Sequence, residues 1–594
     1  MEENLLARHL FFAVLLLPIF IAAHLLAPTT VQEREASLKQ HFELRDSSIF
    51  KNLQWRNIGP YFMGGRISDI EAYEKNPHTF LVAAASGGLW ITRNNATTWE
   101  PIFDKESSIT IGDFAISQTD EKLIWVGTGE SNNYGNASPG TGVFKSIDGG
   151  KTWKNMGLVD THHIGRILVN PRDNNIVYVA ALGHMYTHNQ QRGVFKTTDG
   201  GKTVQVTPMQ EALKNKSTAP SGKDIVHIDH HAMWIDPNNP GRIILGNDGG
   251  VNISYDEGNT WKKINNLPIP QCYTISYDNR DPYYIYTGLQ DNGVNVGRSN
   301  FKYGESSNPW EMIISGDGNF VQPEPGNPEV VYAKCQYGHL FRIDRKAGIH
   351  QNIRPQSKDR NNKYRFHFFA PFIISYHNPY TLYMGANKIL KSVDRGYNWI
   401  ELSPDLTKKK YIKENPRYST ITALDESPLT PQILYAGTNG GNAWVSLQGG
   451  SQWQDISNRL PVKKVTRMKA SKYKKKRVYV TLNGFREGDY KTYVFVSEDN
   501  GKNWTSIKGN LPDEPVHVIR EDPEKENILY LGTDLTIYVS LDRGKTWHSL
   551  KANLPTNPVM DLQIHPREKE LIIGTHGRGV YIVPIEEIRK LTPD

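Results

Sequence analysis

Residues 227–261 read HIDHHAMWIDPNNPGRIILGNDGGVNISYDEGNTW, a unit that the rest of the chain repeats. Its tail, Ser254-Tyr-Asp256-Glu-Gly258-Asn-Thr260-Trp261, is a turn signature. An Asp two residues after a Ser or Thr accepts backbone N–H groups of its own turn, and the Gly two further on supplies the positive φ that closes it. The Trp opens the next strand, where its ring packs between sheets and its N–H needs an acceptor. The head of the unit carries Asp229, His230, His231 and Asp248, residue types that a turn does not require.

Outward from this unit the signature recurs at 146–153, 392–399, 497–504 and 540–547. It lacks only its Trp at 197–204, and Asn94 or Gln448 replaces the Asp at 92–99 and 446–453. Except across one long gap, successive starts lie 43 to 57 residues apart. The gap holds two further copies, 273–313 and 318–353, recognisable by their strands, and a last copy at 559–583 lacks a fourth strand. Four short strands repeating at this period predict an all-β chain folded as a β-propeller of four-stranded blades. Residues 53–58 read as a fourth strand without its first three, so they complete the last blade and remove a free sheet edge. Ten full units and one shared unit predict a single ring of ten or eleven blades, with two smaller propellers as the alternative. The expected organisation is a signal peptide or transmembrane anchor over 1–28, a linker or stalk over 29–50, propeller repeats over 51–585 and a tail over 586–594.

The 69 basic and 62 acidic residues leave a formal charge of +7, too balanced for a dedicated nucleic-acid binder. Two basic runs stand out, 408–410 and 472–477; the second reads as a solvated hairpin tip, with binding to anionic glycan or lipid headgroups as the alternative. Cys272 and Cys335 are the only cysteines, which excludes a disulfide framework and a multi-cysteine metal site but permits one bridge. Residues 10–27, LFFAVLLLPIFIAAHLLA, are long and apolar enough for a signal-peptide core or a short membrane-spanning helix. They predict export, and the absence of a clean small-x-small motif before Ala27 favours a retained anchor with the bulk of the chain outside. Nothing in the sequence requires a cofactor.

The S/T-x-D-x-G-x-x-W turn resembles the Asp-box, or BNR, repeat. Across 55–583 the chain is similar to the sortilin-like (VPS10-type) propellers and to bacterial proteins labelled glycosyl hydrolases with BNR repeats. The stretches that carry the bacterial likeness are Trp55-Arg-Asn-Ile-Gly-Pro60, Gly142-Val-Phe-Lys-Ser146, His230-His231-Ala-Met-Trp-Ile-Asp236-Pro237, Gly288-Leu-Gln-Asp291-Asn-Gly293 and His576-Gly-Arg578-Gly-Val-Tyr581. The cysteine-rich module of sortilins is absent, and the sialidase F/Y-R-I-P motif has only a mid-chain approximation in Phe341-Arg342-Ile343-Asp344. Xyloglucan-active propellers resemble the chain at Ser86-Gly-Gly-Leu-Trp90 and Asn247-Asp248-Gly-Gly250, where only the second copy carries the Asp that the resemblance implies. The repeat itself specifies a fold and is nearly silent on function.

Propeller topology sorts the remaining candidates. The Asp-box turns open on one face, whereas loops between strands two and three, and links between blades, open on the other. The second set carries Glu130, His184, Asp248, Asp291, Asp534, His576 and Arg578 in loops, and Arg66, Asp113, His162, His163, Arg166, Asp229, His230, His231 and Asp317 in links. Their convergence predicts a polar binding mouth formed by Arg66, Glu130, His163, Arg166, His184, Asp229, His231, Asp248, Asp291 and Arg578. Alternation along an extended segment lets Asp229 and His231 face one site while His230 faces away, a weak metal candidate that needs a third ligand such as Asp248 or His184. The expected function is an exported propeller that binds a glycan or protein partner through this mouth. The alternative is a polysaccharide-active glycoside hydrolase in which Asp248 works with Asp291 or Asp317 as a carboxylate pair.

Overall fold

A computed structural model of the chain describes residues 28–132, 137–203, 205–207, 226–302, 310–359, 361, 363–407 and 419–592. Its strands form eleven four-stranded antiparallel sheets, the number of repeats read from the sequence. In chain order the blades span 67–101, 111–155, 164–207, 230–263, 272–314, 321–352, 372–401, 421–455, 464–506, 516–549 and 559–584, numbered here 1 to 11. The strand Arg56–Gly59 pairs with Gly579–Pro584 and completes blade 11, as the missing fourth strand required.

The second strands, such as Ile124–Thr128, Leu434–Thr438 and Leu529–Thr533, are buried at every position. They lie between neighbouring blades on both faces, which is why they read as continuous apolar runs instead of alternating. The Asp-box closes each turn as its residue types dictate. Asp256 accepts the Thr260 N–H at 2.8 Å and the Thr260 hydroxyl at 2.6 Å, while the Ser254 hydroxyl accepts the Gly258 N–H at 2.8 Å. The box Trp then reaches across to the preceding blade: Trp153, Trp399, Trp504 and Trp547 donate to the carbonyls of Ile102, Ile353, Ile456 and Ile507 at 2.7–2.9 Å.

A second, unforeseen device joins the first strands. A carboxylate on one blade accepts a backbone N–H of the next: Asp69 from Phe114, Asp113 from Ile167, Asp425 from Ala470 and Asp561 from Ile275. The last of these runs from blade 11 to blade 5, and the first strands Val559–His565 and Cys272–Tyr277 pack together there. Blades 5 to 11 therefore form a seven-bladed ring. Blade 4 packs on blade 1, with Trp99 of blade 1 donating to Asn266 beyond blade 4 at 3.0 Å. Blades 4, 1, 2 and 3 follow one another in that order as a separate group. The eleven blades are thus divided into a seven-bladed ring and a group of four, which corrects the single-ring expectation and lies nearer the alternative of two smaller propellers. The physical reason is that each blade chooses its neighbour by inter-blade packing and stapling, which a repeat period does not encode.

The segment expected to be a linker or stalk forms a helix, α1 (Val31–Asp46), that lies against the ring. Ser37 donates to the Asp513 carbonyl at 2.7 Å, and the buried His41 bonds Glu514 at 2.7 Å. Residues 10–27 lie outside the described residues, as does the basic run 408–410. Among the described residues no helix is long and apolar enough to cross a membrane. In the second basic run, Lys472 and Lys474 to Lys476 are exposed as a solvated tip requires, whereas Arg477 is buried and pairs with Glu498 and Glu526 at 2.7 and 2.8 Å as a structural cation. Cys272 and Cys335 are both buried and free.

Candidate functional site

The candidate loops of the two blade groups meet each other. Asn557 of the ring donates to the Ser86 carbonyl at 2.8 Å, and Asn292 donates to the Asp248 carbonyl at 2.8 Å. At this junction Arg66, which leads into blade 1, organises acids from several blades. Its Nε and Nη2 form a two-pronged pair with Asp248 at 2.6 and 2.9 Å, Nη1 donates to Glu130 at 2.7 Å, and Nη2 also donates to Asp291 at 3.1 Å. His231 donates its Nε2–H to Asp248 at 2.6 Å, and Asp317 accepts the backbone N–H of Asp291 at 3.2 Å.

The network splits the two aspartates. Desolvation opposes ionisation of Asp248, but hydrogen bonds from His231 and Arg66 outweigh it and hold the carboxyl well below the usual range. Asp291 gains less from Arg66, so burial and the charges of Asp317 and Asp248 push its carboxyl up to about 7. Glu130 is also raised, chiefly by burial. Because Asp248 Oδ2 and Asp291 Oδ2 share one nitrogen, they lie at most about 6 Å apart.

Other predicted residues fall elsewhere. His163 is buried, bonds the Glu130 carbonyl at 2.8 Å and is driven by burial down to about 4. Arg166 pairs with Asp113 at 3.1 Å and approaches Asp69 at 3.7 Å on the first strands of blades 1 to 3, where those aspartates staple blades together. His184 bonds Asp160 at 3.2 Å, away from Asp248. Arg578 pairs with Asp104, and its guanidinium lies 4.2 Å from the Trp90 ring centre. Asp229 and His231 meet at Asp248: His231 bonds it at 2.6 Å, while the exposed Asp229 brings a ligand atom within 4.8 Å of it together with His227, 3.5 Å from Asp229 and not singled out by the sequence.

The sequence also gave no sign of the cavity in the seven-bladed ring. It encloses about 650 Å³ including its opening and is lined by Tyr273, Phe320, His367, Phe369, Lys464, Arg467, Phe485, His517 and neighbours. Phe485, His517 and Met560 also line a smaller cavity that reaches Ser138 and Pro139 of the other group. Arg467 is paired with Asp561 at 3.3 Å. Lys464 has no carboxylate partner among the described residues; its ammonium lies 5.9 Å from the Phe369 ring centre, and burial, with the charges of Arg486 and Arg467, pulls it down to about 7. These residues come from first strands and loops of blades far apart in sequence. An aromatic or cation at the same place in successive repeats is the signal that could have found them.

Residues 492–583 match the family model described as sortilin, neurotensin receptor 3. That agrees with the sortilin-like propeller resemblance carried by the Asp-boxes. Among curated proteins none matches the chain. Of solved structures, a GH74 enzyme from Niastella koreensis is similar at 15% identity, covering 88% of this chain and 82% of its own, with a TM-score of 0.41. The extracellular domain of a putative hybrid two-component system from B. thetaiotaomicron is similar at 11% identity, covering 89% and 64%, with a TM-score of 0.41. YCF48 bound to D1 peptide is similar at 14% identity over 55% of this chain and 95% of its own, with a TM-score of 0.38.

Proposed function

We propose that the protein is an exported ligand-binding propeller whose seven-bladed ring takes an acidic segment of a glycan or protein. The observation that carries this reading is Lys464, a cation without a carboxylate partner among the described residues, in a cavity whose walls are aromatic. A half-buried ammonium in such surroundings gains a neutralising charge when an anion enters, while Phe369 and Phe485 offer partly exposed rings to sugars or apolar side chains. Export rests on the apolar stretch 10–27, which would also tether the chain to a membrane if it is retained. The test is retention of acidic and neutral oligosaccharides and peptides by the immobilised protein. Acidic ligands retained by wild type and lost by Lys464→Met support the reading; equal retention of neutral ligands, or an unaffected Lys464→Met variant, overturns it.

A second reading is favoured by one observation. The spacing of Asp248 and Asp291 and their opposed protonation suit an acid and a nucleophile or base of a glycoside hydrolase. Against it, both oxygens of Asp248 are held by Arg66 and His231, and the residue is only 3% exposed. Reducing sugar released by wild type but not by Asp248→Asn or Asp291→Asn would establish the hydrolase instead.

A further inference from the structure

Asp160 and His162 sit in the link from blade 2 to blade 3, and His184 sits in the loop after the second strand of blade 3. Each brings one ligand atom to within 4.8 Å of the others. His184 Nε2 and Asp160 Oδ1 are 3.2 Å apart, close to the separation of two donors on a tetrahedral ion with bonds of about 2.0 Å. The two imidazoles lie nearly parallel, with ring centres 3.5 Å apart, so the His162 ring must turn for its in-plane lone pair to reach an ion held by His184 and Asp160. The buried Tyr490, from the seven-bladed ring, brings its hydroxyl 3.4 Å from His162 Nδ1.

The surroundings hold His184 and Asp160 in place. His184 Nδ1 is bonded to the Thr187 hydroxyl at 2.8 Å, which orients the imidazole and leaves Nε2 directed at the carboxylate. An imidazole fixed through one nitrogen so that the other is free to ligate is the usual outer-shell arrangement of metal-binding histidines. Asn189 clamps both halves, accepting the His184 backbone N–H at 3.0 Å and donating to the Asp160 carbonyl at 2.6 Å. Arg192 donates to the His184 carbonyl at 2.7 Å. An unprotonated Nε2 facing a carboxylate oxygen repels it unless a proton or a cation lies between them.

We propose that Asp160, His162 and His184 bind a divalent transition-metal ion of the zinc type. Two imidazoles and one carboxylate suit zinc, cobalt or copper better than calcium or magnesium, which prefer oxygen ligands. Water or the Tyr490 hydroxyl takes the fourth position. With Tyr490 beside it, the ion ties blade 3 to the seven-bladed ring across the junction.

The experiment titrates the chelator-treated full chain with zinc by calorimetry and with cobalt by its visible ligand-field spectrum. Wild type should take up about one equivalent and show the spectrum of a low-coordinate cobalt site. Asp160→Asn and His184→Ala should each lower the affinity at least about tenfold. Asp229→Ala, in the separate group of His227, Asp229 and Asp248, should leave it unchanged. To keep the test independent of variant folding, histidine modification of wild type is mapped by mass spectrometry with and without zinc, where protection of His162 and His184 is expected. Absent uptake, uptake lost only in Asp229→Ala, or modification of His162 and His184 unaffected by zinc would each overturn the proposal.

Discussion

Asp248 and Asp291 belong to different blade groups yet share a single nitrogen: Arg66 Nη2 lies 2.9 Å from one carboxylate and 3.1 Å from the other. Arg66 thereby joins the four-bladed group to the ring, and its removal leaves Asp248, Glu130 and Asp291 without the cation that balances them. Arg66→Ala is expected to destabilise the folded chain by about 3–5 kcal/mol, the usual consequence of stranding buried charge. Chemical denaturation of the two proteins side by side checks the value. An Arg66→Ala loss below about 1 kcal/mol would show that water reaches these carboxylates.

The unequal surroundings of the pair predict an unusual titration. Asp291 should change charge near pH 7 in the folded chain, against about 3.9 in the unfolded one. The folded state then holds a proton that the unfolded state has lost, so this group's contribution is complete below about pH 4 and vanishes as pH rises through about 7. Denaturation midpoints of wild type should fall over that window relative to Asp291→Asn. Parallel profiles would refute the assignment.

Lys464 predicts the pH dependence of binding. Its ammonium, pulled down to about 7 by burial, is charged on the acid side of that value. Affinity for an acidic ligand in the ring should weaken as pH rises through about 7, and Lys464→Met should bind weakly at every pH. Calorimetry at pH values on either side of 7 reads the difference.

The box tryptophans staple blades through their N–H groups. Trp547→Phe keeps an aromatic ring but strands the Ile507 carbonyl, now 2.8 Å from Nε1, and should cost about 1–3 kcal/mol. Trp261→Phe should cost less, because among the described residues Trp261 makes no such bond. Thermal or chemical unfolding of the two variants gives the comparison.

Ring closure offers a last test. Gly574 of blade 11 faces Ile275 of blade 5, and an added Cβ there would lie 2.8 Å from Ile275 Cγ1 and Cδ1. Gly574→Val should destabilise the ring by about 1–3 kcal/mol through overpacking, as measured by unfolding, and Ile275→Ala in the same chain should recover part of the loss.

The Asp-box explains how much could be read without coordinates. Ser254, Asp256, Gly258 and Trp261 act within eight residues, so their turn is a local consequence of hydrogen-bonding side chains and a left-handed glycine, and eight of the eleven repeats carry it in full or in part. The shared blade was legible for the same reason, since an incomplete unit at each end leaves backbone groups that must pair. The division into two groups was not legible. Asp561 and Ile275 are 286 residues apart, and the carboxylate that joins them resembles every other Asp in a first strand. The candidate site shows the same limit: loop position marked Arg66, Asp248 and Asp291 as polar groups on one face. The meeting of the two blade groups decided that they form one buried network, and packing within each group decided that Arg166 and Asp113 join neighbouring blades and that Lys464 is left without a carboxylate partner among the described residues. Short-range hydrogen bonding determines the blade; desolvation and pairing between distant blades determine which of its polar residues remain available for a ligand.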